Sequence, residues 1–225
     1  MQNYSANNSG HLDKKNSNNF GLPNYTQGEE IFNAVTHGLG VIFSLVAWLF
    51  LIFNYPRNIK NVFAFSAYGA TLFILYTIST LYHSLKVSKI KSNFRKLDHC
   101  SIFLLIAGTY TPICMLLIKG TASMIVLISV WIAAAIGIAL NLVDVNKFSK
   151  LSLACYIFMG WSIIFMTKPA LIYMSFRQLR LLLVGGVFYT AGAVIYVLGK
   201  KVKYMHSIWH LFVLAGSACH FIVLV

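Results

Sequence analysis

Two histidines one helical turn apart, His206 and His210 in His206-Ser207-Ile208-Trp209-His210, are the strongest chemical signal in the chain. Positions i and i+4 share a helix face, so both imidazoles project the same way. Two such rings and a third from a neighbouring helix make a common zinc arrangement, with the fourth position left to water at a catalytic centre. His83, which closes Ser79-Thr80-Leu81-Tyr82-His83, is the best third ligand because it lies at a matching depth in the hydropathy pattern below. Asp98 could bind the metal directly, or hold a metal-bound water and accept its proton. Bound zinc brings the pKa of such a water to about 7. Ser79, one turn before His83, faces the same way and is placed to hydrogen-bond a ligand or a substrate carbonyl, unless its hydroxyl bonds its own backbone.

Chance or packing explains many isolated His-x3-His pairs, and helix-end histidines sit well at a headgroup interface. The combination with His83 and Asp98 at one depth points to a metal site. Glu30, Asn33 and His37 follow an i, i+3, i+7 spacing on one helical face. They form either a second shell around the zinc, a gate at the mouth of the site, or a capping and interface-anchoring segment. His99 points some 100° away from Asp98 and is a weak ligand candidate. His220 stands 14 residues beyond His206, about 21 Å along a helix, so it cannot join the cluster. Cys100, Cys114, Cys155 and Cys219 show no CxxC or CxxH spacing and suit neither a disulfide framework nor a thiolate site.

The elements that carry these residues must sit in a membrane. Of 225 residues, 58% are hydrophobic and only 10% charged, with a mean hydropathy of +0.73. Soluble domains carry roughly 25% charged residues, and so few charges cannot cover a water-facing surface. The net charge of +13 lies in short links between apolar runs, which fits topology and anionic headgroups and argues against nucleic acid. Seven runs, 38–56, 61–85, 100–118, 120–143, 151–167, 181–199 and 207–225, each have the length of a span. The third and fourth are divided only by Lys119, with Gly120 offering the turn. Pro112 is expected to kink the third. Residues 1–28 are polar and Asn-rich and read as a disordered cytoplasmic tail, without the pattern of a signal peptide. Alternate links carry twelve Lys and Arg on the N-terminal side against six on the other. The expectation is an all-α, seven-transmembrane helix bundle at residues 29–225 in the cell membrane. Its N-terminus is cytoplasmic, its C-terminus external, and the histidine group at the cytoplasmic end.

The ordered motifs Glu30-x2-Asn33-x3-His37-Gly38, Ser79-x3-His83, Arg95-x2-Asp98-His99 and His206-x3-His210 resemble the hemolysin III family. That family belongs with the progestin and adiponectin receptors and the alkaline ceramidases. The similarity runs from about Glu29 to Val225. The resemblance implies seven spans and a Zn2+ ion near the cytoplasmic side on His83, His206 and His210. It also implies that Asp98 holds the zinc-bound water and that Ser79 is the matching serine. Eukaryotic relatives are associated with hydrolysis of ceramide-type lipid amides; bacterial ones carry a name from reported cytolysis, and some are linked to membrane fluidity. A long receptor-type N-terminal domain is absent, which counts against a peptide-hormone receptor. Three functions follow as expectations: a zinc-dependent intramembrane hydrolase of lipid amides or esters, a pore-forming cytolysin, and a non-catalytic sensor with structural zinc. Membrane lipids are the implied partners. The residues alone assign neither substrate nor oligomeric state.

Overall fold

The structure, a computed structural model, describes residues 20–199 and 202–225. The expected tail therefore lies outside the described residues as far as residue 19. Seven helical segments are long and apolar enough to cross a membrane, and there are no strands among the described residues. The first two are α1 (Gln27–Asn54) and α2 (Ile59–Ser84). Next comes α3 (Lys89–Pro112), extended by a π-helical turn over Ile113–Leu117, and then α4 (Thr121–Asp144). The fifth span is broken into α5 (Ser149–Gly160), a 3-10 turn (Ser162–Met166) and α6 (Thr167–Tyr173). α7 (Phe176–Leu198) and α8 (Met205–Leu224) complete the bundle.

Several helices begin well before the apolar runs that mark them in the sequence. α1 starts at Gln27 because Thr26 and Glu29 form a capping box, each side chain bonding the other's backbone N–H. α3 starts at Lys89 behind Ser88, whose hydroxyl accepts from the Lys91 N–H at 3.2 Å. In each first turn one charged residue is buried in the bundle, Glu29 in α1 and Lys91 in α3, while Gln27 and Lys89 stay exposed.

Burial runs opposite to that of a water-soluble helix. On α1, Asn33, His37, Gly40, Ser44, Ala47 and Leu51 are buried, while Leu39, Ile42, Val46 and Phe53 face outward. Lipid solvates the apolar stripe, and small or polar residues let neighbouring backbones approach. The same logic places Gly137 of α4 directly under the Phe103 ring of α3.

The reversal expected at Lys119 is present: Gly120 adopts φ 110°, ψ 168°, a backbone that favours glycine because it has no Cβ to clash. Pro112 lacks an N–H and crowds the carbonyl four residues back. The distortion expected there takes the form of the π-helical turn that follows it. In the fifth span, Pro169 stands in the first turn of α6, where a missing N–H costs nothing.

Candidate metal centre

α2, α3 and α8 bring His83, Asp98, His206 and His210 to the same end of the bundle. The three histidines are buried, and their ligating nitrogens all lie within 4.8 Å of one another. His206 Nε2 stands 3.3 Å from His83 Nε2 and 3.1 Å from His210 Nε2. Tetrahedral zinc with N ligands at 2.0–2.1 Å sets neighbouring nitrogens about 3.3 Å apart. The spacing fits that ion.

The outward nitrogens are held elsewhere. His83 Nδ1 lies 2.6 Å from Glu30 Oε2, and Thr36 Oγ1 lies 3.4 Å from His210 Nδ1. A carboxylate or hydroxyl on Nδ1 sets the tautomer that leaves Nε2 free for metal. His206 Nδ1 is buried and has no hydrogen-bond partner among the described residues. The donor set therefore suits a soft-to-borderline cation better than Mg2+ or Ca2+, which take oxygen ligands.

Asp98 is buried beside this group but is not one of its members. Ser79 Oγ faces the Asp98 carboxylate and makes no closed hydrogen bond among the described residues. It is not bonded to its own backbone, as its neighbours Thr80 and Ser84 are. The three residues of the α1 face meet two of the ligand rings, Glu30 and Asn33 at His83 and His37 at His210. Glu30 bonds His83, and Asn33 Nδ2 stands 3.4 Å from the same Nδ1. His37 stacks flat on His210, ring centroids 3.6 Å apart and 8° from parallel. His99 Nδ1 lies 3.0 Å from the Arg95 carbonyl and 3.9 Å from Asp98 Oδ2, apart from the three-histidine group.

Three features of the site carry no sequence signal. Lys91 is buried against Glu30. Thr36 reaches His210 only because α1 and α8 pack together. Residues 20–26, within the stretch read as tail, lie across the histidine end. Phe20 and Gly21 offer carbonyls to Ser92 Oγ at 3.0 Å and Arg95 Nη1 at 2.8 Å. The Tyr25 ring sits 4.9 Å from that of His206. Burial pushes the Tyr25 phenol well above its usual value, so it stays protonated. The Glu29 carboxylate then accepts the Tyr204 N–H at 2.8 Å, joining this segment to the start of α8.

A cavity of about 140 Å³ opens beside Asp98 and His37 and extends through the bundle to His220. Its walls are apolar, with Leu75, Ile102, Ile106, Ile157, Trp161 and Val213 among them. His220, outside the three-histidine group, donates from Nε2 to the Leu182 carbonyl at 3.2 Å. A chain-like apolar ligand in this space would bring one end to Asp98.

A family model described as "Haemolysin-III related" matches residues 25–221. The chain is 44% identical to "Hemolysin-3" of Bacillus cereus, over 86% of this chain and 89% of that protein. It is 40% identical to a "Hemolysin-3 homolog" of Bacillus subtilis (strain 168), over 88% and 93%. It is 31% identical to the human "Monocyte to macrophage differentiation factor", over 68% of this chain and 66% of that protein.

Proposed function

The chain belongs to the haemolysin-III-related family of multipass membrane proteins, and from that premise we propose that it is a zinc-dependent hydrolase of lipid amide or ester bonds serving membrane lipid homeostasis. The observation that carries this reading is the convergence of three buried imidazoles at tetrahedral spacing with Asp98 at the mouth of an apolar cavity. A structural zinc site is usually closed by four protein ligands; three nitrogens with a carboxylate close by but outside the set suit a catalytic one.

His83, His206 and His210 would hold the ion. Zinc, when bound, supplies Lewis acidity and lowers the pKa of a coordinated water. Asp98 takes the proton from the attacking water and returns it to the leaving amine or alcohol. Ser79, facing Asp98, orients that carboxylate or donates to the substrate carbonyl. The cavity holds the acyl chain, entering sideways between spans, and excludes bulk water from the cleaved bond. The distribution of Lys and Arg supports a cytoplasmic position for this end; labelling of single cysteines placed at Ser88 and Lys119 from outside cells tests it, with only Lys119→Cys expected to react.

The names carried by the two Bacillus relatives favour cytolysis as a second reading. Release of dye from vesicles by purified protein, undiminished in Asp98→Asn, would support it over hydrolysis. A purely sensory role with structural zinc is the third. Purified protein incubated with a ceramide-like amide and an ester of the same chain tests the enzyme reading directly. Product that disappears with a zinc chelator is expected, and no turnover of either class refutes it.

A further inference from the structure

A buried ammonium at the end of a membrane bundle is costly unless every proton on it is used. Lys91 is such a group, 4% exposed. Its Nζ donates to Glu30 Oε1 at 2.7 Å and to the Leu85 carbonyl at 2.8 Å, and it stands 5.2 Å from the centre of the Tyr82 ring. An ammonium has three donors and no acceptor. Two are spent on oxygens and the third side faces an aromatic π surface, which attracts a cation.

We propose that Lys91 is a positioning residue of the metal centre, acting through Glu30 on His83. The inference rests on the reading of His83, His206 and His210 as zinc ligands.

Three observations lead to it. Glu30 is shared: one oxygen meets Lys91 and the other meets His83 Nδ1 at 2.6 Å. The terminal torsion of a glutamate is broad and weakly restrained, so a carboxylate held by one oxygen alone would swing. With Oε1 pinned by the ammonium, Oε2 is held on Nδ1, and the His83 lone pair is directed from Nε2 toward the other two rings. Second, the Leu85 carbonyl belongs to the C-cap residue of α2, where helical carbonyls lack intrahelical partners. Lys91 fills that vacancy two residues after His83 and so fixes the end of the helix that carries His83 and Ser79. Third, Lys91 itself sits on α3, seven residues before Asp98. One amine thus ties α1, α2 and α3 together where each contributes to the site. The ammonium also draws charge from Glu30, so its effect is on geometry rather than on making His83 a stronger base.

The test measures the zinc dissociation constant by chelator competition in detergent, with the melting temperature of the metal-free protein recorded beside it. The proteins are the wild type, Lys91→Met, Lys91→Gln, Glu30→Gln and the Lys91→Gln/Glu30→Gln double variant. Outer partners of metal ligands are typically worth 10- to 100-fold in metal affinity. Each single variant is expected to weaken zinc by about tenfold or more. The double variant is expected to be no more than about twofold weaker than Glu30→Gln, because the lysine acts through the glutamate. Lys91→Gln keeps a donor for Leu85 and serves if Lys91→Met does not fold. Wild-type zinc affinity in Lys91→Gln, whatever its melting temperature, overturns the inference. So do losses that simply multiply in the double variant. A wild type that binds no zinc overturns the underlying reading, and this inference with it.

Discussion

Replacing Asp98 by asparagine keeps the side-chain volume and removes the carboxylate that lies outside the three-nitrogen group and lines the apolar cavity; Glu30, the other carboxylate beside the group, is held on His83 Nδ1. Because Asp98 lies outside that group, zinc content should not change. Because it is the one acid that lines the cavity among the described residues, turnover should collapse. A positioned general base contributes about 10²- to 10⁴-fold, which at about 1.36 kcal/mol per tenfold corresponds to roughly 2.7–5.4 kcal/mol of barrier. The packing around it is largely preserved, since Ser79 can still meet an amide and Ser101 bonds the Asp98 backbone carbonyl rather than its side chain. The assay follows release of a fluorescent acyl chain from a lipid amide by zinc-loaded protein in mixed micelles, with zinc per chain measured on the same preparation. Wild-type turnover in Asp98→Asn would refute the proton-transfer role. Loss of zinc would show instead that Asp98 is a ligand, and the catalytic argument from its position would fail.

His206 is the central member of the ligand group, so His206→Ala should leave less than about 0.1 zinc per chain after dialysis, by elemental analysis; a full equivalent retained contradicts the site. Ile157→Trp fills the cavity away from the histidines and should slow cleavage of long-chain lipids by about tenfold or more while sparing short-chain substrates and zinc content. Equal losses on both chain lengths would mean the cavity does not hold the chain. A Cβ at Gly137 meets the Phe103 ring, so Gly137→Ala should cost about 1–3 kcal/mol through overpacking. Thermal unfolding in detergent reads that loss, and an unchanged midpoint would refute the close approach of α3 and α4.

Much of this architecture is legible in the sequence because the bilayer imposes contiguous apolar length on every span. Even the weak boundary at Lys119-Gly120 falls where the chain reverses, since only glycine tolerates that backbone without cost. Helix starts were less visible. The first eleven residues of α1 and the first eleven of α3 precede the apolar runs that mark those spans; caps at Thr26 and Ser88 start these helices, and Glu29, Asn33, Lys91 and Asp98 within them are buried. The ligand candidates stood out because His-x3-His needs only local geometry. Lys91 did not: in the sequence it is one of five basic residues in a link, and its burial depends on the fold bringing its ammonium to Glu30 of α1. Tyr25 was masked by the asparagines around it. A stretch with little to bury on its own can still be ordered by surfaces supplied from elsewhere in the chain.

The central claim is a three-histidine zinc centre, and zinc-edge X-ray absorption on protein purified without added metal tests it most directly. The expected result is about one zinc per chain with nitrogen or oxygen neighbours at about 2.0–2.1 Å, three of them imidazole and none sulfur, and with the imidazole signature lost in His83→Ala. No metal in any preparation, or an unchanged spectrum in His83→Ala, would contradict it.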